Sequence, residues 1–62
     1  MVTVNGSDLD IAGKTLSEYL ATTNYDRTRI AVEINLEIVP KTQYDSTVLK
    51  DQDTVEVVSF VG

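Results

Sequence analysis

Side chains that commonly carry out chemistry are scarce in this sequence. It has no cysteine and no histidine, which removes thiol nucleophiles, disulfides, the commonest metal ligand and the usual general base. The serines Ser7, Ser17, Ser46 and Ser59 therefore have no histidine to activate them, which leaves only lysine-dependent schemes open and favours structural roles. Asp45, Asp51 and Asp53 lie close in sequence, but they lack the glycine and terminal glutamate of a calcium-binding loop and read as a solvated turn. Tyr19, Tyr25 and Tyr44 come without a basic groove, so they read as packing residues with wet hydroxyls and not as a base-stacking platform. The expectation is a chain with no catalytic residue and no metal site.

At 62 residues, the chain has room for one domain (1–62) and one small core, since folding at this size buries roughly 60% of the unfolded surface. Five Lys and Arg against ten Asp and Glu give a net charge of −5. That balance disfavours nucleic acid and anionic lipid and suits a basic protein surface, although solubility alone also accounts for it. No apolar run approaches the roughly 20 residues needed to span a bilayer. Met1 to Val4 alternates like a strand and has no secretory pattern, so a cytoplasmic location is expected.

The elements follow from period and punctuation. Met1 to Val4 and Ser7 to Ala12 alternate on either side of Asn5-Gly6, the preferred pair for a two-residue type I′ turn. That turn sets Val4 opposite Ser7 and Val2 opposite Leu9, so Val2, Val4, Leu9 and Ile11 share a face. Thr15-Leu16-Ser17-Glu18 has the form of a capping box, and Leu16, Tyr19 and Leu20 make an apolar stripe that stops near Thr22-Thr23-Asn24. After a polar connection from Asn24 to Thr28, Ile30 to Ile34 alternates as a strand. Asn35 suits a tight reversal, and Ile38-Val39-Pro40 reads as a brief edge strand. Lys41 to Asp53 is irregular, with Tyr44, Val48 and Leu49 as anchors. Thr54 to Val61 is the most β-branched run and predicts the last strand.

Strand, strand, helix, strand, short strand, irregular segment and strand is the order of an α+β, ubiquitin-like β-grasp. It predicts a mixed sheet of four to five strands with one main helix on one face, and the first and last strands parallel at its centre. The other face is left open to solvent. The predicted core is Val2, Val4, Leu9, Ile11, Leu16, Leu20, Ile30, Val32, Val55 and Val57.

Three stretches resemble the ThiS family of sulfur carriers: Val4-Asn5-Gly6; Ala31-Val32-Glu33-Ile34-Asn35 followed by Ile38-Val39-Pro40-Lys41 and the aromatic Tyr44; and Asp53 to Gly62. Together with Leu16, Glu18 and Leu20 they cover nearly the whole chain. The resemblance implies that the working group is the carboxylate of the terminal glycine, here Gly62. An E1-like adenylyltransferase would adenylate it with ATP, a sulfur donor enzyme would convert it to a thiocarboxylate, and thiazole synthase would take the sulfur on the route to thiamine. The carrier would bind no cofactor and would be a co-substrate, not an enzyme. Related carriers serve molybdopterin synthesis or tRNA thiolation, and other ubiquitin-like modules only bind.

Two positions depart from the family pattern. The family tail ends in two glycines, whereas Val61-Gly62, the expected start of the tail, has one. Gln52 stands where the family has glycine, which costs about 1 kcal/mol if a positive φ is needed there. Along the last strand, Val58 and Phe60 fall opposite the core-facing Val55 and Val57, so they are expected on the open face beside Glu56. Glu56, Val58, Phe60 and Val61 are the expected partner-binding residues, with Asp51, Asp53 and Glu56 as an acidic rim.

Overall fold

The computed structural model describes residues 1–60. Its order is β1 (Val2–Val4), β2 (Ser7–Leu9), α1 (Leu16–Leu20), a 3₁₀ turn at Arg27–Arg29, β3 (Ile30–Ile34), β4 (Glu37–Ile38), a second 3₁₀ turn at Lys41–Gln43, and β5 (Thr54–Ser59). The five strands form one mixed sheet in the order β2-β1-β5-β3-β4. β1 and β5 are parallel neighbours, while β5 pairs antiparallel with β3. This is the β-grasp arrangement, with the last strand at the centre and α1 across one face.

The first hairpin has the register expected of Asn5-Gly6, with Val2 opposite Leu9 and Val4 opposite Ser7. Both turn residues have positive φ, 48° at Asn5 and 86° at Gly6, as a type I′ turn requires. The β2 strand ends at Leu9, three residues short of the alternating run. The capping box is complete: Glu18 N–H donates to Thr15 Oγ1 at 3.1 Å and Thr15 N–H to Glu18 Oε1 at 2.8 Å. At the other end of α1, the hydroxyls of Thr22 and Thr23 donate to the carbonyls of Tyr19 and Leu20, both at 2.7 Å. That is the competition for backbone groups that ends helices at such residues.

Eight of the ten predicted core residues are buried: Val2, Val4, Leu16, Leu20, Ile30, Val32, Val55 and Val57. Leu9, on the edge strand β2, and Ile11, beyond its end, are only partly buried against this core. Tyr19, Tyr44 and Leu49 complete the buried set, whereas Val48 is half exposed. The segment after β4 owes its shape to backbone bonds with the start of α1. Leu16 N–H donates to Thr47 O at 2.8 Å and Ser17 N–H to Tyr44 O at 3.0 Å; Gly13 and Leu49 are tied in by similar bonds to Leu49 O and Lys14 O. Amides of the first helical turn that have no partner inside the helix are thus satisfied by an irregular segment.

Two turns carry strain. The Asn35-Leu36 reversal joins β3 to β4 with φ of 52° and 71°, and Gln52 sits at 74°. Asparagine tolerates this region, but leucine and glutamine do so at a cost. Leu36→Gly and Gln52→Gly should each stabilise the fold by about 0.5 kcal/mol, after allowing for the added freedom of the unfolded chain. Urea unfolding followed by circular dichroism checks this, and an unchanged or lower midpoint would contradict it.

Candidate functional site

The centre of the molecule is β5, and two turn asparagines fasten it. Asn5 Nδ2 donates to Val57 O at 3.1 Å while Asn5 Oδ1 accepts from Val57 N–H at 2.8 Å. At the start of the strand, Asn35 Oδ1 accepts from Thr54 N–H at 3.0 Å, and Asn35 N–H donates to Thr54 O at 2.8 Å. The Asn5 side chain thus occupies a backbone donor and acceptor of β5 as a residue of a neighbouring strand would, while Asn35 does the same at Thr54 with its side-chain oxygen and its own backbone amide. The sequence shows both asparagines as turn formers but gives no sign of this second role, since their partners lie 52 and 19 residues away.

With β5 held, its alternation decides what it presents. Val55 and Val57 are buried, whereas Thr54, Glu56 and Val58 are exposed. Val58 is 53% exposed and Phe60 56% exposed. Val58 lies directly opposite Ala31, and Glu56 directly opposite Glu33. Phe60 N–H donates to Arg29 O at 2.7 Å, so the chain stays aligned with β3 one residue beyond the strand. Two exposed apolar residues, Val58 and Phe60, thus lie at the end of the central strand. Val61 and Gly62, expected as the start of the tail, lie outside the described residues.

The acidic rim is smaller than the sequence predicts. Asp53 precedes β5, and an extended chain covers about 20 Å from there to Phe60. Its carboxylate accepts from Lys50 N–H at 2.9 Å and Asn35 Nδ2 at 3.0 Å, and Asp51 pairs with the N-terminal ammonium. Both carboxylates therefore belong to the opposite end of the strand, and Glu56 is the only one of the three beside Val58.

Other candidates resolve into structure. Tyr19 and Tyr44 lie in the core and Tyr25 packs against it. Burial raises the Tyr19 and Tyr44 hydroxyls above the ordinary phenol range. Ser17 donates to Asp45, and this bond, with the nearby Arg27 guanidinium, lowers the Asp45 carboxyl. No cluster of three metal-ligating side chains occurs among the described residues, nor does a helix long and apolar enough to cross a membrane. A groove of about 400 Å³ between β4, the second 3₁₀ turn and the start of β5 is lined by Ile34, Ile38, Val39, Pro40 and Val48, among others, and sits at the end of β5 away from Phe60.

A mixed five-stranded sheet with its last strand at the centre and one helix across it is the architecture of ubiquitin-like β-grasp proteins. The ThiS family model matches residues 2–62, and the chain belongs to that family. It is 34% identical to the sulfur carrier protein ThiS of Bacillus subtilis, with the match covering all of this chain and 97% of that one. It is also 38% identical over 60 residues to a thiazole synthase of Paramagnetospirillum magneticum, covering 95% of this chain but 18% of that protein. The chain therefore spans less than a fifth of that relative's length. The crystal structure of thiamine biosynthesis protein ThiS from Geobacter metallireducens superposes with a TM-score of 0.80 at 35% identity, covering 98% of this chain and 94% of that one.

Proposed function

We propose that this protein is a sulfur carrier for thiamine biosynthesis that works through its C-terminal glycine carboxylate. An E1-like enzyme joins the Gly62 carboxylate, or that of a further terminal glycine, to the AMP moiety of ATP with loss of pyrophosphate. A carboxylate is a poor acyl donor, whereas the mixed anhydride has a good leaving group. Hydrosulfide released by a donor enzyme then attacks the acyl carbon, AMP leaves, and loss of the proton gives a thiocarboxylate, from which thiazole synthase takes the sulfur. The carrier supplies no catalytic side chain and binds no cofactor; ATP is consumed by its partner. A glycine tail has no side chain to obstruct entry into a narrow catalytic channel.

What supports this reading most directly is the exposed pair Val58 and Phe60, which folding does not bury and which sits at the root of the tail. The matching segment within a much longer thiazole synthase supports that enzyme as the sulfur acceptor. Docking of the open face on the activating enzyme would bury Phe60 as an aromatic anchor. Phe60→Ala should weaken binding to that enzyme by about 1 to 3 kcal/mol and change the carrier's own stability much less. Calorimetric titration and urea unfolding of the same variant measure the two effects; unchanged affinity, or an equal loss of stability, would contradict the docking role.

A further inference from the structure

We infer that Asn5 is a positioning residue for loading of the tail, holding the end of β5 where no strand remains to hold it; the conclusion rests on the carrier function proposed above. On the β1 side, β5 is paired only at Thr54 and Val55. The last backbone bond there runs from Asn5 N–H to Val55 O at 2.9 Å, and the chain then turns through Gly6 into β2. On its other side β5 stays paired with β3 as far as Ser59. Phe60 N–H donates to Arg29 O, which makes Ser59 and Ile30 a non-hydrogen-bonded pair and, by alternation, Val57 and Val32 as well. The N–H and C=O of Val57 therefore point away from β3, toward the place that β1 has left.

Asn5 fills that place with its side chain. Its Oδ1 accepts from Val57 N–H at 2.8 Å and its Nδ2 donates to Val57 O at 3.1 Å and to the Tyr25 hydroxyl at 3.4 Å. One residue thus makes the turn with its backbone, at a φ of 48°, and extends the sheet with its amide. The outer side of β3 ends in the same way. Val39 N–H donates to Val32 O at 2.9 Å, and at Ile30 O the donor is the Lys41 ammonium, at 2.6 Å. Toward the tail the sheet therefore narrows to β3 and β5, each bordered by a side chain. Val57 is the last buried residue before the exposed Val58 and Phe60. Without the clasp, the end of β5 that carries both is bonded on one side only. A docking surface that is correctly placed for a fraction of the time binds more weakly by that fraction, with no change in the step after binding.

The test measures ATP-dependent sulfur loading, by the E1-like enzyme, of the full chain with one glycine added, the form that has the family's glycine pair. Asn5→Gly removes the amide but keeps a residue that adopts positive φ freely, so the turn survives. Urea unfolding verifies that each variant is folded under the assay conditions. Asn5→Gly should raise the KM for the carrier about 5-fold with kcat unchanged and speed amide hydrogen exchange at Val57. Asn5→Asp, which retains the acceptor for Val57 N–H and loses the donor for Val57 O, should raise KM too. Asn35→Gly makes the same substitution in the positive-φ turn at the opposite end of β5 and should leave KM unchanged. An unchanged KM in both Asn5 variants, or an equal rise in Asn35→Gly, would overturn the positioning role and leave the carrier function intact. An Asn5→Gly chain that is unfolded under these conditions would show that the clasp holds the fold, and would overturn the role as well. A parent chain that gains no sulfur would overturn the carrier function and the positioning role with it.

Discussion

Tyr44→Ala is expected to leave a large fraction of the chain unfolded at 25 °C. Tyr44 is 1% exposed and is the largest of the fully buried side chains, in a segment with no strand or α-helix of its own between β4 and β5. Its ring packs into the core, with the Arg27 guanidinium carbon 5.5 Å from the ring centroid, and its carbonyl accepts from Ser17 N–H. Truncation of a buried aromatic residue costs about 3 to 5 kcal/mol. A chain of this length has a total stability of roughly 3 to 9 kcal/mol, so the loss consumes much or all of it. The α1 helix, at five residues, cannot persist alone and should melt with the segment that satisfies its first-turn amides. Far-ultraviolet circular dichroism and urea unfolding measure the outcome. A variant within about 1 kcal/mol of the parent would show that the ring does not carry the core.

Much of this fold is legible in the sequence because its signals are local and concordant. The Asn5-Gly6 turn, the Thr15 to Glu18 capping box and the alternation of Ile30 to Ile34 each bind neighbours in the chain, and each appears as read; the last strand, read as Thr54 to Val61, starts as expected but ends at Ser59, with Val61 outside the described residues. Burial of Leu49 and Tyr44 was legible as anchoring, but exposure of Val48 was not. Three hydrophobic positions in an irregular run carry no period to separate inside from outside. Their placement depends on the pairing of Gly13 to Ser17 with Tyr44 to Leu49, a contact across about 30 residues of chain that no local pattern encodes. The same limit hides the second role of Asn5 and Asn35 as clasps on β5.

At the candidate site, exposure of Val58 and Phe60 followed from strict alternation about the buried Val55 and Val57. The overestimated acidic rim came from treating nearness in sequence as nearness on the surface: along a strand, seven residues carry Asp53 about 20 Å from Phe60. The opposition of Glu33 and Glu56 was not visible either, because register between β3 and β5 depends on the whole sheet and not on a turn joining them. Alternation assigns a face, but only strand order and register say which residues meet on it.

The second large effect concerns the tail itself. If the terminal carboxylate is the working group, changes at the end of the chain should control sulfur loading while leaving the fold intact, since the core is completed by Val55 and Val57. Removing Val61 and Gly62 should abolish loading and barely move the urea midpoint. Adding one glycine after Gly62 should give a tail ending in the family's glycine pair, which reaches further into the activating enzyme's channel and loads best.

Intact-mass spectrometry tests this account most directly. The chain ending at Gly62, the chain with one further glycine and the chain ending at Phe60 are each incubated with the E1-like enzyme, ATP and a sulfur source. The account predicts a mass gain matching one oxygen replaced by sulfur, localised to the terminal carboxyl, that is strong for the glycine-extended chain, weak for the chain ending at Gly62 and absent for the truncated one. Equal loading of the first two would show that the second glycine does not matter; no sulfur gain in any chain would contradict the carrier function and leave a module that only binds.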